Sequence, residues 1–196
     1  MKLTIQPLTA DRFSDLERVF KARGCSVARK CWCMYYRRSG GDSLPHGAAA
    51  AANRAEFKAL VDGGQHAGIL AYRGAEPVGW LSFGPREDYA KLARSPVMKP
   101  VDEQPVWSIV CFVVPSAERG QGVAHALLRG AIEHARARGV RLVEGYPVDK
   151  AGRTEDQNLW FGTKSMFDAA GFEEVARRKP ERPIMRKVVR LKPVRA

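Results

Sequence analysis

The sequence lacks the long apolar run that a membrane-spanning helix needs. Its longest apolar stretch, residues 109–114, has only six residues, whereas a helix that crosses a bilayer takes about 20. The chain starts Met-Lys-Leu-Thr-Ile and soon reaches Asp11 and Asp15, so the apolar core of a secretory signal is also missing. These absences predict a cytoplasmic protein that has no membrane partner.

Low-complexity composition is missing too. The 196 residues include 18 glycines and 12 prolines, which are too few for a disordered low-complexity chain, and no internal repeat is visible. Hydrophobic residues make up 45%, and the length is sufficient for a sizeable core. No linker of distinctive composition divides the chain, so we expect one α/β domain over residues 1–196, with a basic tail at about 189–196.

Only four cysteines occur, which limits both disulfides and metal sites. Cys25, Cys31 and Cys33 cluster near the N-terminus, and Cys111 lies within the apolar stretch. A reducing cytosol disfavours disulfides. The cluster together with His46 or Cys111 offers enough ligands for zinc, but structural zinc sites use a C-x₂₋₄-C pair rather than C-x-C. We expect no metal and predict that these thiols pack in a core or line a pocket.

Acidic residues are in short supply. Aspartate and glutamate total 21 against 33 lysines and arginines, which gives a net charge of +12. Residues 177–196 alone carry nine basic residues and one acidic residue. This excess favours a partner that bears phosphates, either nucleic acid or a nucleotide-like small molecule. Because no zinc knuckle, helix-turn-helix or aromatic RNA-binding motif is present, we expect no nucleic-acid partner and keep nucleic-acid binding as the lesser hypothesis.

Hydrophobic periodicity predicts alternating strands and helices. Residues 105–114 form a nearly unbroken apolar run between two prolines, typical of a strand buried on both faces. Residues 122–138 have apolar side chains at helical spacing, and residues 140–146 follow as a strand, so a parallel crossover is implied. Residues 25–42 are poorly periodic. The other predicted strands are 3–8, 67–72, 77–83, 173–178 and 183–188, and the other helices are 10–22, 47–61, 165–170 and a short one near 89–93.

The most informative segment joins the buried strand to the long helix and reads Arg119-Gly120-Gln121-Gly122-Val123-Ala124. The first turn of a helix presents free N–H groups and a positive dipole end. Glycines there let a phosphate approach the backbone amides, and an arginine adds a fork of donors. The spacing fits neither a P-loop nor the dinucleotide fingerprint, whose third glycine would fall at His125. The segment therefore predicts a phosphate site of another kind.

This Arg-x-x-Gly-x-Ala segment resembles the coenzyme A pyrophosphate motif of the GNAT N-acetyltransferase superfamily. Two further segments resemble that family, Glu-Pro-Val-Gly-Trp at 76–80 and Met-Phe-Asp-Ala-Ala-Gly-Phe at 166–172. The order of predicted elements matches its fold across nearly the whole chain. Cys-Trp-Cys-Met-Tyr at 31–35 and residues 143–149 resemble a bacterial subgroup. The resemblance implies an α/β fold with a mixed, mostly antiparallel central sheet, a parallel and splayed central strand pair, and flanking helices.

The resemblance also implies the cofactor, the reaction and the binding residues. Acetyl-CoA would be the co-substrate, and the acceptor would be an amine of a small molecule or a protein that attacks directly in a ternary complex. A homodimer is compatible with the family. A splay between residues 111–114 and 144–146 would admit the thioester. The expected cofactor-binding residues are Phe112, Val113 and Val114 for the pantetheine arm, and Arg119, Gly120, Gln121, Gly122, Val123 and Ala124 for the pyrophosphate.

Two departures from the family pattern bear on catalysis. The late-helix motif commonly has a tyrosine that can protonate the leaving thiolate, and this chain has Phe167 in its place. The asparagine that often contacts pantetheine is also missing, because Trp160 occupies that place. A fold that binds CoA without catalysis is therefore a second hypothesis.

Glu144 and Tyr146 are the candidate general base and acid, since both lie near the end of the strand beside the expected splay. The candidate walls of the acceptor pocket are Trp32, Cys33, Tyr35 and Trp80. Cys111 lies in the buried strand, where we expect it to pack rather than act as a nucleophile. We expect the two histidines of the long helix, His125 and His134, to be solvated.

Overall fold

A computed structural model describes residues 2–39, 48–150 and 160–191. Its seven strands form one sheet in the order β1-β2-β3-β4-β5-β7-β6, and only the β4–β5 pair is parallel. This confirms the predicted mixed, mostly antiparallel sheet. The strands are β1 Leu3–Pro7, β2 Gly68–Arg73, β3 Glu76–Pro85, β4 Trp107–Val113, β5 Leu142–Gly145, β6 Glu173–Arg177 and β7 Pro183–Val188.

Helices flank the sheet, and the predicted ones are present within a few residues of their expected ends. They are α1 Phe13–Lys21, α2 Ser26–Cys31, α3 Ala48–Asp62, α4 Ala90–Arg94, α5 Val123–Ala137 and α6 Lys164–Ala169, with short 3₁₀ turns at Ala10–Arg12, Arg86–Asp88 and Ser116–Glu118. Helix α2 was not predicted, because six residues are too short for a helical period to show. No described helix is long and apolar enough to cross a membrane.

Strands β4 and β5 pair over a short distance and then separate. Trp107, Ser108 and Ile109 lie opposite the three residues of β5 from Val143 to Gly145. Beyond Ile109, β4 remains paired only with β3, on its other side. The predicted splay is therefore present, and it begins after Ile109.

Helix α5 lies directly on the sheet because a glycine of β3 makes room for it. A Cβ atom at Gly79 would come within 2.6 Å of Val123 Cγ1 and 3.2 Å of Leu127 Cδ1. Val123, Leu127 and their neighbours on that helix face are buried, so the apolar stripe that the sequence showed is the packed face. This contact brings the first turn of α5 to the end of β4.

A second core lies around helices α1 to α3. It is built from aromatic rings whose centroids are 5.2–6.5 Å apart, the separations expected for packed aromatic pairs. The rings belong to Phe13, Phe20, Trp32, Phe57 and Trp80.

Two histidines stack inside the fold, which corrects the expectation that His134 is solvated. The rings of His66 and His134 are 4.6 Å apart and nearly parallel, and Trp107 stacks on His66 at 4.8 Å. Both Nε2 atoms are buried without a hydrogen-bond partner. Burial, with the charges of His134, Arg138 and Arg37, lowers the pKa of His66 to about 3. His134 has a lowered pKa from the same cause, whereas His125 is exposed as expected.

We predict that the histidine pair makes the protein acid-sensitive. Because the folded state holds His66 neutral down to a pKa of about 3, the unfolded chain binds more protons below its pKa of about 6.5, and stability falls as the pH drops below that value. Each such histidine contributes at most about 1.4 kcal/mol per pH unit. Urea unfolding between pH 4 and about pH 7.5 measures the free energy of unfolding. This free energy should fall less steeply with decreasing pH for His66→Phe than for wild type, and His125→Phe is the exposed control. Equal slopes in wild type and His66→Phe would contradict this.

Candidate functional site

A cavity of about 1010 Å³ adjoins the splayed part of β4. Its lining residues come from four parts of the chain. They are residues 24–28, 31, 33, 35 and 36 around α2, residues 111–114 at the end of β4, residues 118–120 and 122–125 at the start of α5, and residues 160, 162, 163 and 166 before and within α6. The site is thus assembled where the sheet opens.

One end of the cavity, the glycine end, is formed by Arg119, Gly120 and residues 122–125. Gly120 and Gly122 have φ angles of +72° and +77°, and a Cβ at either position would meet no atom within 4 Å. The first α5 hydrogen bond runs from the Ala126 N–H to the Gly122 carbonyl. The N–H groups of residues 122–125 therefore have no partner within the helix. Together with the helix dipole, they make this end suitable for an anion.

Arg119 holds the glycine end in place. Its Nε donates to the Val114 carbonyl at 3.2 Å, and its Nη2 donates to the Gly24 carbonyl at 2.9 Å. The guanidinium thereby links the loop to the end of β4 and to the turn before α2. Arg119 lines the cavity next to the start of α5, and these two bonds give it a structural role that the sequence did not reveal.

Gln121 and Glu118 complete the loop. The Gln121 side chain donates to the Ala117 carbonyl at 2.6 Å and accepts from Arg73 at 2.9 Å, and the residue does not line the cavity. Glu118 does line it and pairs with Arg73 at 2.7 Å. This ion pair offsets a negative charge that would otherwise oppose an anion nearby.

The exposed edge of β4 offers fewer free backbone groups than the sequence suggested. The Phe112 N–H donates to the Trp160 carbonyl at 2.6 Å, and the Val114 carbonyl accepts from Arg119. Alternation along a strand places both backbone groups of Phe112 and Val114 on the β5 side, where the splay is. The Phe112 carbonyl and the Val114 N–H therefore face the cavity side of β4.

The other end of the cavity, the aromatic end, is formed by Cys33, Tyr35, Tyr36, Cys111 and Trp160. Cys33 and Tyr35 were predicted, whereas Tyr36 was missed, although it follows Tyr35 directly. Burial raises the pKa of Tyr36 far above its usual range. Its hydroxyl therefore stays protonated and can donate a hydrogen bond, but it is a poor donor of a proton.

Trp32 and Trp80 do not line the cavity, contrary to the sequence-based expectation. Trp32 is 3% exposed and packs against Phe13 and Phe20, and Trp80 is fully buried against Phe20 and Phe57. Both rings belong to the aromatic core beneath the cavity. Their contribution to the site is structural support.

Glu144 and Tyr146 also lie outside the cavity lining. They were candidate base and acid because we expected them beside the splay, and the structure does not place them there. Glu144 sits opposite Ser108, in the part of β5 that is still paired with β4. Its carboxylate is fully buried and accepts hydrogen bonds from Arg86 at 2.6 Å, Arg186 at 2.7 Å and the Tyr146 hydroxyl at 2.7 Å. The carboxylate is therefore already engaged by three donors inside the protein.

Tyr146 belongs to the same buried network. Its hydroxyl also bonds to Ser108 Oγ at 2.9 Å and accepts from Arg86. Burial, together with the neighbouring Glu144 charge, raises the pKa of Tyr146 well above its usual range. The geometry therefore supports neither residue as a proton carrier for a ligand in the cavity, and it assigns both to the packing of β5.

The four cysteines are all free thiols and all line the cavity. Within residues 2–39, 48–150 and 160–191, no group of three or more histidine, cysteine, aspartate or glutamate side chains is arranged to hold a metal ion. His46, considered as a fourth zinc ligand, lies outside the described residues, as do residues 192–196 of the basic tail.

Comparison with known proteins places the sequence in a family. The model described as "Acetyltransferase (GNAT) family" matches residues 18–157. No curated protein matches the sequence closely enough to count as a relative.

Solved structures share the fold at low sequence identity. An N-acetyltransferase from Staphylococcus aureus is 10% identical, with a TM-score of 0.54, over 97% of this chain and 100% of that one. A ribosomal-protein-alanine N-acetyltransferase from Brucella melitensis is 18% identical, with a TM-score of 0.53, over 94% and 99%. A mosquito arylalkylamine N-acetyltransferase-like protein is 11% identical, with a TM-score of 0.57, over 95% and 100%. At these identities the similarity shows the fold alone.

We predict that Glu144 contributes to stability. Glu144→Gln leaves two largely buried arginines without their shared carboxylate, which should lower the free energy of unfolding by about 3 kcal/mol. Glu133→Gln removes an exposed ion pair with Arg136 and should cost less than about 1 kcal/mol. Urea unfolding at neutral pH measures both changes. A Glu144→Gln protein that is as stable as wild type but inactive would instead support the original assignment as a base.

Proposed function

The chain belongs to the GNAT acetyltransferase family, and from that membership we propose that it transfers an acetyl group from acetyl-CoA to an amine. The observation that carries the proposal is the glycine end of the cavity. Unpartnered N–H groups at the start of α5 adjoin a cavity of about 1010 Å³ that continues along the splayed β4. A ligand with a phosphate group at one end and an extended arm fits this arrangement.

In the proposed complex, the pyrophosphate accepts hydrogen bonds from the N–H groups of Gly122, Val123 and Ala124. The pantetheine arm runs along β4, where the Phe112 carbonyl and the Val114 N–H face the cavity side. The thioester then lies at the aromatic end, next to Cys111. This order follows the direction of β4, which passes from Cys111 to Val114 and then into the glycine loop.

The acceptor amine attacks the thioester directly in a ternary complex. Among the described residues that line the cavity, only Glu118 carries a carboxylate. It lies at the glycine end and pairs with Arg73. Since it is remote from the aromatic end, we propose that water takes the amine proton.

The acceptor is a small-molecule or protein amine. The three solved structures carry names that mention different amines or none, so a shared fold does not select the acceptor. The aromatic end is lined by two tyrosines, two cysteines and Trp160, which favours an amine attached to an apolar group. A cytoplasmic location, a single domain over residues 1–196 and a homodimer stay predictions.

Phe167 supports a second candidate, a fold that binds CoA without catalysis. The ring is fully buried and packs on β5 so closely that a Cβ at Gly145 would lie 2.2 Å from Phe167 Cε1. It has no hydroxyl to protonate a leaving thiolate. Release of CoA thiol from acetyl-CoA in the presence of a panel of aliphatic and aromatic amines supports the enzyme, and no release with any amine, despite binding, supports the non-catalytic protein.

We predict that Gly122→Glu strongly weakens acetyl-CoA binding. The new carboxylate would occupy the open space above the α5 amides and repel the pyrophosphate, so the affinity measured by calorimetry should fall at least about 100-fold. Gly139→Glu is the matched control, because Gly139 has a similar φ of +73° and an equally open Cβ position but follows the far end of α5. Equal affinities for the two variants would contradict the pyrophosphate assignment.

A further inference from the structure

We propose that Cys33 is an S-acetylation site, whose thiolate accepts the acetyl group of acetyl-CoA when no amine occupies the cavity. The inference rests on the proposed function, because acetyl-CoA bound with its thioester at the aromatic end supplies the electrophile. Cys33 lines that end of the cavity. The direct reaction with an amine does not use this residue.

A hydrogen-bond donor is directed at the Cys33 sulfur. The indole N–H of Trp80 donates to it at 3.2 Å, and both groups are buried. Trp80 belongs to β3 and reaches the sulfur from the sheet. A donor directed at a sulfur favours its anionic form.

A buried cation reinforces this environment. The Arg37 side chain is only 4% exposed, and its contacts with Asp88 and the Tyr89 hydroxyl are both long, at 3.4 Å. Its Nε is buried with no hydrogen-bond partner. Asp88 and the Tyr89 hydroxyl therefore offset the guanidinium charge only in part. The thiolate of Cys33 supplies a further negative charge nearby.

The backbone holds Cys33 in an unusual conformation. Trp32 and Cys33 have φ angles of +48° and +55°, a region that residues other than glycine rarely adopt. Packing of Trp32 in the aromatic core maintains this turn. Strained residues of this kind are concentrated at functional sites, and here the strain directs the sulfur into the cavity.

The four thiols of the cavity differ in their pKa. The neighbouring Cys111 thiol lowers the pKa of Cys33, with Trp80, Arg37 and Ser82 acting in the same direction against burial. The interaction with Cys33 raises the pKa of Cys111 well above its usual value. Burial raises the pKa of Cys31 to about 11 and also raises that of Cys25. Since Trp80 donates to its sulfur at 3.2 Å, Cys33 is the nucleophilic thiol among the four.

The step is a thioester exchange. The Cys33 sulfur forms a bond to the acetyl carbonyl carbon, the bond from that carbon to the CoA sulfur breaks, and CoA leaves as a thiolate that takes a proton from water. No oxidation occurs. Because a thiolate of lowered pKa is also a good leaving group, acetyl-Cys33 readily returns its acetyl group to CoA.

Reversibility gives a test that needs no acceptor. The full chain is mixed with acetyl-CoA and deuterium-labelled CoA, without amine, and labelled acetyl-CoA is followed by mass spectrometry. Wild type is expected to exchange the acetyl group between the two CoA pools. Cys33→Ser should exchange no faster than the protein-free mixture, whereas Cys31→Ser should exchange like wild type, because Cys31 lines the same cavity but stays protonated.

Peptide mapping of acid-quenched wild type provides the second measurement and does not depend on a variant that folds. An acetyl group on Cys33 that hydroxylamine removes at neutral pH supports the proposal, and acetyl groups only on lysines or other cysteines overturn it. Wild type that binds acetyl-CoA in calorimetry without exchange also overturns it and leaves the proposed function standing. Failure to bind acetyl-CoA overturns both.

Discussion

Strands β4 and β5 are paired for only three residues, and the site depends on their separation after Ile109. A continuous pair would leave no room between them for a ligand. Glu144 stabilises the paired part, because its buried carboxylate joins Arg86, in the 3₁₀ turn after β3, to Arg186 of β7. Removing one member of such a buried network leaves uncompensated charge. The network therefore keeps the strands together up to the point where the cavity begins.

The start of α5 supplies the second half of the site, and its place follows from close packing. Gly79 lets Val123 and Leu127 lie directly on β3, so the first turn of the helix is held at the end of β4. Arg119 then ties the loop to the Val114 and Gly24 carbonyls. The amides that would receive a pyrophosphate are thus held in position before a ligand arrives, which lowers the entropic cost of binding.

Features set by local sequence could be predicted, and those set by distant contacts could not. The glycine loop, the long helix and the buried strand carry their own signals of turn chemistry and periodicity. Glu144 was a candidate base on its place near a strand end, because nothing near it in sequence reveals Arg86 or Arg186. Likewise, the helical position of His134 suggested solvent exposure, but His66, which stacks on it, lies just before β2, far away in sequence. Trp32 packs into the core because α2 ends in a left-handed turn that no pattern indicated.

We propose that the first turn of α5 binds the pyrophosphate of acetyl-CoA while the thioester reaches the splay beside Cys111. The decisive measurement is a crystal structure of the protein with acetyl-CoA bound. We expect pyrophosphate oxygens within hydrogen-bond distance of the N–H groups of Gly122, Val123 and Ala124, and the acetyl group between Cys111 and Cys33. A cofactor bound elsewhere, with the first turn of α5 unoccupied, would contradict it.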